Sequence, residues 1–368
     1  MMRIGILTQP LANNYGGILQ NWALQQVLKD MGHEPMTIDI PYKQAVPHAD
    51  FLRCCWRLAK RLAGDRSIIF LNSRKQLNQA KQPGILQQEF FKKHISLLSV
   101  PDGLASDFCQ NHPEIEAYIV GSDQVWRKAF SPNFQNYFLD FTQGTDCKKI
   151  AYAVSFGKDS IDVKGEDLDK CRYLAQQFDA VSVREKEGLD ICTAQLGVSA
   201  QWVLDPTLLL SKVDYQEKLL GGIPKISDSE RIAAVYILDY DKNKQKVVTK
   251  ICKLLKLKPV YIGRPTRRGF PGVESWLQTI EESGYVITDS YHGTLFSVIF
   301  KKPFTTIMNK GRGGGRFTSI MDALGLSNRL VEETLQPAGL TTIDYDVVEE
   351  RLALLRRQSK AFLSQSLS

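Results

Sequence analysis

No apolar run in this chain approaches the ~20 residues needed to span a bilayer. The opening MMRIGILTQP passes straight into a strand pattern, without the apolar stretch of a secretion signal. Both absences point to a soluble or peripheral protein of the cytoplasm. Cysteine is sparse and unpatterned. There are seven, an odd number, with Cys54 and Cys55 adjacent and no CxxC pair, which reads as reduced thiols rather than a disulfide framework. There is no HExxH and no His/Cys cluster, so no metal and no cofactor is expected. Zinc-finger spacing and an aromatic-and-basic RNA signature are missing too. With 47 Lys+Arg against 40 Asp+Glu, the net charge of +7 suits an anionic substrate or membrane surface and falls short of arguing for nucleic acid. The spaced glycines of GxGxxG are absent, and Asp39 at the end of the second strand does not replace them, which argues against a nicotinamide site. There is no low-complexity tract and no short-period repeat.

What is present is one α/β grammar written twice. A chain of 368 residues is too long for one ordinary core and divides into two domains of ~150–200 residues. Residues 1–220 form the first. RIGILT is a buried strand, QPLANNYGG a polar loop, ILQNWALQQVLKDMG a helix stopped by Gly32, and PMTIDI the next strand. Strands follow in EAYIVGSDQVW, KKIAYAVSFG and DAVSVRE. Residues 51–95 interrupt this order. FLRCCWRLAKRLAGDR reads as a basic amphipathic helix, either a solvated face or, over 51–66, a peripheral contact with an anionic membrane. Residues 72–95 read as a polar, exposed insertion. Residues 221–230, GGIPKISDSE, have linker composition. The grammar then restarts over 231–345, and 346–368 is a capping C-terminal helix. The expected fold is α/β: two facing Rossmann-like domains with a cleft between them.

Ligands of such sheets bind beyond the carboxyl ends of the strands, and several residue groups fall there. In TDSYHGTLFSVIF, His292 lies between the strand YVITDS and a short apolar helix. It either shuttles protons near neutral pH or only bonds its loop. NNYGG opens a helix with Asn13, Asn14, Tyr15 and two glycines, as an anion site or a plain capped turn. GSDQVW exposes Ser122 and Asp123 past a strand end, for sugar hydroxyls, base catalysis or a cap. Arg184 ends an apolar strand and needs a partner, either a bound anion or a carboxylate such as Asp205. GRGGGRF sets Gly313, Gly314 and Gly315 between Arg312 and Arg316 before a helix. It is a phosphate cradle or a surface loop, and not a P-loop.

NYGGILQNWALQ, GSDQVW, VSVRE, LDPTLLL and TDSYHGTLFSVIF, in this order, resemble the polysaccharide pyruvyl transferase family, from Ile4 to about Leu330. The resemblance implies a GT-B type arrangement and transfer of pyruvate from phosphoenolpyruvate onto a sugar as a ketal, in making cell-surface polymers such as capsule or exopolysaccharide. It implies His292 as the catalytic histidine and Arg184 as an active-site arginine. Many members carry an arginine two residues before that histidine; this chain has Ser290. Arg264, Arg267, Arg268, Arg312 and Arg316 are the alternatives for supplying its charge, unless donor or acceptor differs in this branch. The implied donor site is Arg312, Gly314, Arg316, Arg264, Arg268 and Ser290. Catalysis is assigned to His292, Arg184 and Asp123. The implied acceptor site is Asn14, Tyr15, Gly16, Ser122, Asp123 and Gln124, for a sugar that is either free or lipid-linked at the inner face of the membrane. Two rivals accompany this reading: a glycosyltransferase using a nucleotide sugar, and a catalytically silent glycan-binding relative.

Overall fold

The computed structural model describes residues 1–40, 83–101, 103–131, 133–266, 269–332, 340 and 342–368. The basic stretch 51–66, Arg267 and Arg268 lie outside them.

Short apolar runs bounded by loops become buried parallel strands, because both sheet faces are covered. β1 (Arg3–Leu7), β2 (Glu34–Asp39), β3 (Leu97–Ser99), β4 (Ala117–Val120), β5 (Lys148–Val154), β6 (Ala180–Val183) and β7 (Gln201–Trp202) form one sheet in the order β3-β2-β1-β4-β5-β6-β7. Every neighbouring pair is parallel. β8 (Ile232–Tyr236), β9 (Lys258–Tyr261), β10 (Tyr285–Thr288), β11 (Phe304–Ile307) and β12 (Leu330–Val331) form a second parallel sheet, β12-β11-β10-β8-β9. Helices of nine or more residues are α1 (Tyr15–Asp30), α2 (Ile85–His94), α3 (Glu166–Ala175), α4 (Lys242–Leu255), α5 (Val273–Glu282), α6 (Tyr291–Ile299), α7 (Gly315–Leu324) and α8 (Tyr345–Leu367). Two Rossmann-like halves result. The short edge strands β3, β7 and β12 carry too few residues for a sequence period to announce them.

The polar insertion expected over 72–95 is, in its described part, a packed element. Phe90 and Phe91 of α2 are buried, and Gln87 Nε2 donates to the Pro271 carbonyl of the second half at 2.7 Å. Two adjacent phenylalanines among glutamines and lysines supply an apolar stripe too narrow to dominate the composition.

The halves are fused rather than merely juxtaposed. One apolar core runs from Ile4, Ile18 and Trp22 through Tyr215 to Trp276, Phe296 and Phe304. Tyr15 stacks on Trp276 at 5.3 Å and meets Tyr236 edge-on at 6.3 Å, and its hydroxyl donates to Pro271 O at 2.8 Å. The C-terminal helix crosses the junction. Leu352 packs in the same core, the Leu204 amide donates to Ser359 Oγ at 3.0 Å, and the Phe362 ring lies 6.1 Å from Tyr152 of the first sheet. No helix among the described residues is long and apolar enough to cross a membrane.

A shared core couples the unfolding of both halves. Urea unfolding of the whole chain, followed by tryptophan fluorescence and by circular dichroism, is expected as a single coincident transition; two separated transitions would contradict the fused core. Tyr15→Phe removes one buried hydrogen bond while keeping the stack, and is expected to lower stability by about 1 kcal/mol.

Candidate active site

The carboxyl ends of both sheets converge on a cleft of about 440 Å³. It is lined by Gln9, Asn14, Asp123, Gln124, Ser290 and His292, together with Arg312 and Arg316 and an apolar wall that includes Phe130, Leu238 and Phe270. In the first sheet the strand order reverses beside β1 and β4. The loops after these two strands deliver Asn14 and Asp123, as expected at a topological switch point.

Beneath the cleft lies a buried charge network. Arg184, directly after β6, is 1% exposed. Its Nη2 reaches Asp123 Oδ1 at 3.0 Å and its Nη1 reaches Asp205 Oδ2 at 3.0 Å. Burial opposes its charge, but the two carboxylates prevail and hold its pKa above the usual range. Burial also opposes ionisation of Asp123. Arg184, His292 and Arg316 outweigh it, so this carboxyl lies below the ordinary range. Burial opposes ionisation of Asp205 as well, but His292 and Arg184 overcome it and hold this carboxyl below the ordinary range, with Thr207 donating to it from its amide (3.0 Å) and hydroxyl (2.8 Å). Glu185 shows the reverse: burial raises its pKa despite Arg184. Its Oε1 accepts from Ser155 Oγ at 2.8 Å and from the Phe156 amide at 2.9 Å, tying down the loop after β5. Of the two partners open to Arg184, the structure supplies carboxylates. The guanidinium is sealed below the cleft and does not line it.

His292 occupies the first turn of α6. Ser290 caps that helix by accepting the Gly293 amide at 3.4 Å. Gly293 fits against Thr288: a Cβ there would come within 2.3 Å of Thr288 Oγ1. Its lack of a side chain therefore serves helix–strand packing, not close approach to a ligand. The imidazole lies against Gly16 of α1, where a Cβ would fall 2.0 Å from Nδ1 and 2.4 Å from Cγ. Glycine at position 16 is what lets the two halves bring this ring to the cleft. His292 Nε2 points at Asp205 Oδ2, 3.5 Å away.

Arg316, in the first turn of α7, is 8% exposed. Its guanidinium carbon lies 5.2 Å from the Tyr291 ring centroid, and Arg184 lies 5.0 Å from the same ring. It has no hydrogen-bond or ion-pair partner among the described residues, and Nε is sealed without one. Burial, reinforced by Arg184, lowers its pKa to about 10. It remains charged at neutral pH.

Other expected site residues have different occupations. Ser122 and Asp123 are buried rather than exposed; Ser122 Oγ bonds the Ala153 carbonyl at 3.1 Å and sits 3.3 Å from Asp205 Oδ2. Tyr15 faces Trp276 and Pro271 in the core and does not line the cleft. Gln124 does line it, donating to Arg312 O at 3.1 Å. Arg312 lines the cleft as an ion pair with Asp239, at 2.9 Å from Nη2. Arg264 lies over Tyr240 (4.6 Å) and Tyr261 (4.8 Å), outside the cleft lining. The glycine run is not an open phosphate cradle. Gly313 adopts φ 92° against Gly157 O. A Cβ on Gly315 would meet the Glu187 carboxylate at 2.6–2.7 Å, and Ser319 Oγ donates to Glu187 Oε2 at 3.2 Å. An acidic side chain from the first half already sits at this helix start, and Gly314 is only its cap. Asp205 was among the partners expected for Arg184; Glu185 is the network member that the sequence did not signal, since its partners Ser155 and the Phe156 amide lie on another strand's loop.

Among solved structures, the fold is similar to S. aureus MnaA in complex with UDP, at 10% identity and TM-score 0.52, over 98% of this chain and 91% of that one. Phytolacca americana UGT2 complexed with UDP-2fluoro-glucose and pterostilbene aligns at 10% identity and TM-score 0.43, over 99% and 93%. The two parallel sheets facing across a cleft, and the likeness to MnaA, make this the GT-B type arrangement. No curated protein sequence matches the chain. The sequence pattern described as polysaccharide pyruvyl transferase matches residues 14–311, a span that includes Asn14, Asp123, Arg184, Asp205 and His292. With that match over most of its length and both sheets meeting at those residues, the chain belongs to the polysaccharide pyruvyl transferase family.

Proposed function

We propose that this pyruvyl transferase takes its pyruvyl group from phosphoenolpyruvate, joins it as a cyclic ketal to two hydroxyls of a sugar in a cell-surface polysaccharide precursor, and releases phosphate. The observation that carries this reading is Arg316. A buried guanidinium without a direct ion pair or hydrogen bond is costly, and this one borders the cleft that holds His292 and Asp123, whose carboxylate only partly offsets its charge. A small carboxylated phosphate supplies the missing charge through a planar, two-point contact. Arg312 adds positive charge on the same wall, partly offset by Asp239. Ser290 serves as a helix cap where many relatives have arginine, so the donor's anionic end is assigned to Arg316 in the first turn of α7, with Arg312 beside it on the cleft wall.

In this reaction the first hydroxyl adds to the donor's central carbon and gives up its proton, while the methylene carbon gains one and becomes methyl. The bond to the phosphate oxygen then breaks, and the second hydroxyl closes the ketal as it loses its proton. One proton ends on the methyl group and one on phosphate. His292 moves these protons, at the floor where both halves meet. Asp123, held ionised by Arg184, accepts hydrogen bonds from acceptor hydroxyls, with Asn14 Nδ2 beside it at 3.4 Å from Oδ2. Arg184 acts from below by fixing the two carboxylates. The acceptor enters from the side of Gln9, Asn14 and Gln124. A lipid-linked acceptor would place the work at the inner face of the membrane.

The direct test is incubation with phosphoenolpyruvate and candidate free or lipid-linked sugars. The expected result is phosphate release with an acceptor mass gain of pyruvic acid less one water. Turnover of a nucleotide sugar, with release of nucleotide diphosphate and no reaction of phosphoenolpyruvate, would overturn the proposal. His292→Ala is expected to lose most turnover while its circular dichroism stays that of the parent; wild-type activity in the folded variant would remove His292 from the mechanism. Arg316→Ala is expected to weaken donor binding by about 1.5–3 kcal/mol, the scale of a charged hydrogen bond. Isothermal titration with phosphoenolpyruvate measures it, and unchanged affinity would place the anion elsewhere.

A further inference from the structure

The two ring nitrogens of His292 are in different surroundings. Nε2 is sealed from solvent, faces Asp205 Oδ2 at 3.5 Å, and has no hydrogen-bond partner of better geometry among the described residues. The ring rests against Gly16 with Nδ1 nearest that glycine; unlike Nε2, Nδ1 is not sealed from solvent, and the residue lines the cleft. Asp205 is itself fixed on every side. Oδ1 accepts from the Thr207 amide and hydroxyl, and Oδ2 takes Arg184 Nη1 at 3.0 Å and Ser122 Oγ at 3.3 Å. It does not line the cleft, so it cannot touch a substrate.

We infer that Asp205 is a positioning residue that accepts the Nε2–H of His292 and holds the imidazole in the tautomer whose Nδ1 lone pair faces the substrate. This rests on the proton-carrying role proposed above for His292. A neutral imidazole bears one N–H, and its partner decides which nitrogen keeps it. Every proton exchanged with substrate then passes through Nδ1. It takes the proton of the first attacking hydroxyl and delivers it to the methylene carbon. It next takes that of the second hydroxyl and passes it to the departing phosphate. Throughout, Nε2–H stays on Asp205, which steadies the imidazolium between transfers.

Two measurements test this. In protein labelled with ¹⁵N-histidine, long-range ¹H–¹⁵N correlation at a pH where the ring is neutral is expected to show His292 protonated on Nε2 and bare on Nδ1. The signal is assigned by its loss in His292→Gln. An Nδ1–H tautomer in the unaltered protein would overturn the inference. The second is Asp205→Asn, which keeps an acceptor oxygen but removes the charge. The carboxylate favours the imidazolium, so its loss is expected to move the acidic limb of the kcat/KM profile to lower pH by about one unit. The other ionisable groups of the cleft and of the network beneath it remain: Asp123 beyond β4, Arg184 and Glu185 beyond β6, Arg312 before α7, Arg316 on α7, Tyr291 on α6 and Tyr236 on β8. An unmoved limb in a folded, active variant would contradict the inference. If Asp205→Asn does not fold, the spectrum of the unaltered protein decides alone. The tautomer is read without turnover, so a reversed tautomer with His292→Ala inactive would sink only this inference, whereas an active His292→Ala would sink the reading beneath it.

Discussion

The active cleft depends on one buried guanidinium. Arg184 spans Asp123 and Asp205, two carboxylates from loops that follow different strands. A charged group with almost no solvent contact is stable only when opposite charges surround it; Arg184 Nε, without a hydrogen bond, lies 3.9 Å from Glu185 Oε2. Both Nη atoms have carboxylate partners, and the two carboxylates accept further bonds from the Gln124 and Thr207 amides. Asp123 then stands rigid at the cleft floor, with its backbone at φ 76°, a conformation that non-glycine residues adopt only when their surroundings demand it. Asp205 stands rigid behind His292. Removing Arg184 would leave two buried carboxylates without their direct ion pair.

The second constraint is close approach between the halves. Gly16 admits the imidazole, Gly313 admits the Gly157 carbonyl and Gly315 admits the Glu187 carboxylate. Each lies where the first sheet's loops meet the second half. The Lys186 amide donates to Ser319 Oγ at 3.0 Å beside them. The GRGGGRF loop therefore acts as a joint. Its glycines let backbone and carboxylate from the other half pass, and this carries Arg316 into the cleft while the helix start is occupied by Glu187. Apolar packing finishes the arrangement: Tyr15 and Trp276 pack in the shared core against Tyr236, whose residue lines the cleft.

Much of this was legible in the chain. The runs RIGIL, AYIV, AVSV, IAAVY and YVIT are short, apolar and bounded, the pattern of parallel strands covered on both faces. Glycine after a strand or helix marked the turns, and the position of His292 at the seam of β10 and α6 placed it at a ligand edge before any contact was known. The readings of Tyr15 and of the three glycines went elsewhere, because exposure cannot be read from a polar or glycine-rich context. NNYGG looks like an anion site until Trp276, more than two hundred residues on, covers its tyrosine.

The sequence by itself determined the alternation of strands and helices, the doubling of that pattern, and which residues stand just beyond strand ends. These follow from local periodicity and backbone stereochemistry, which act over a few residues. Only the tertiary structure decided that Arg184 is spent on Asp123 and Asp205, that Arg316 makes no direct ion pair among the described residues, and that Asp205 faces Nε2 of His292. Those outcomes depend on electrostatic pairing across 21 to 87 positions of chain, where distance in space, and not order in sequence, sets which charges meet.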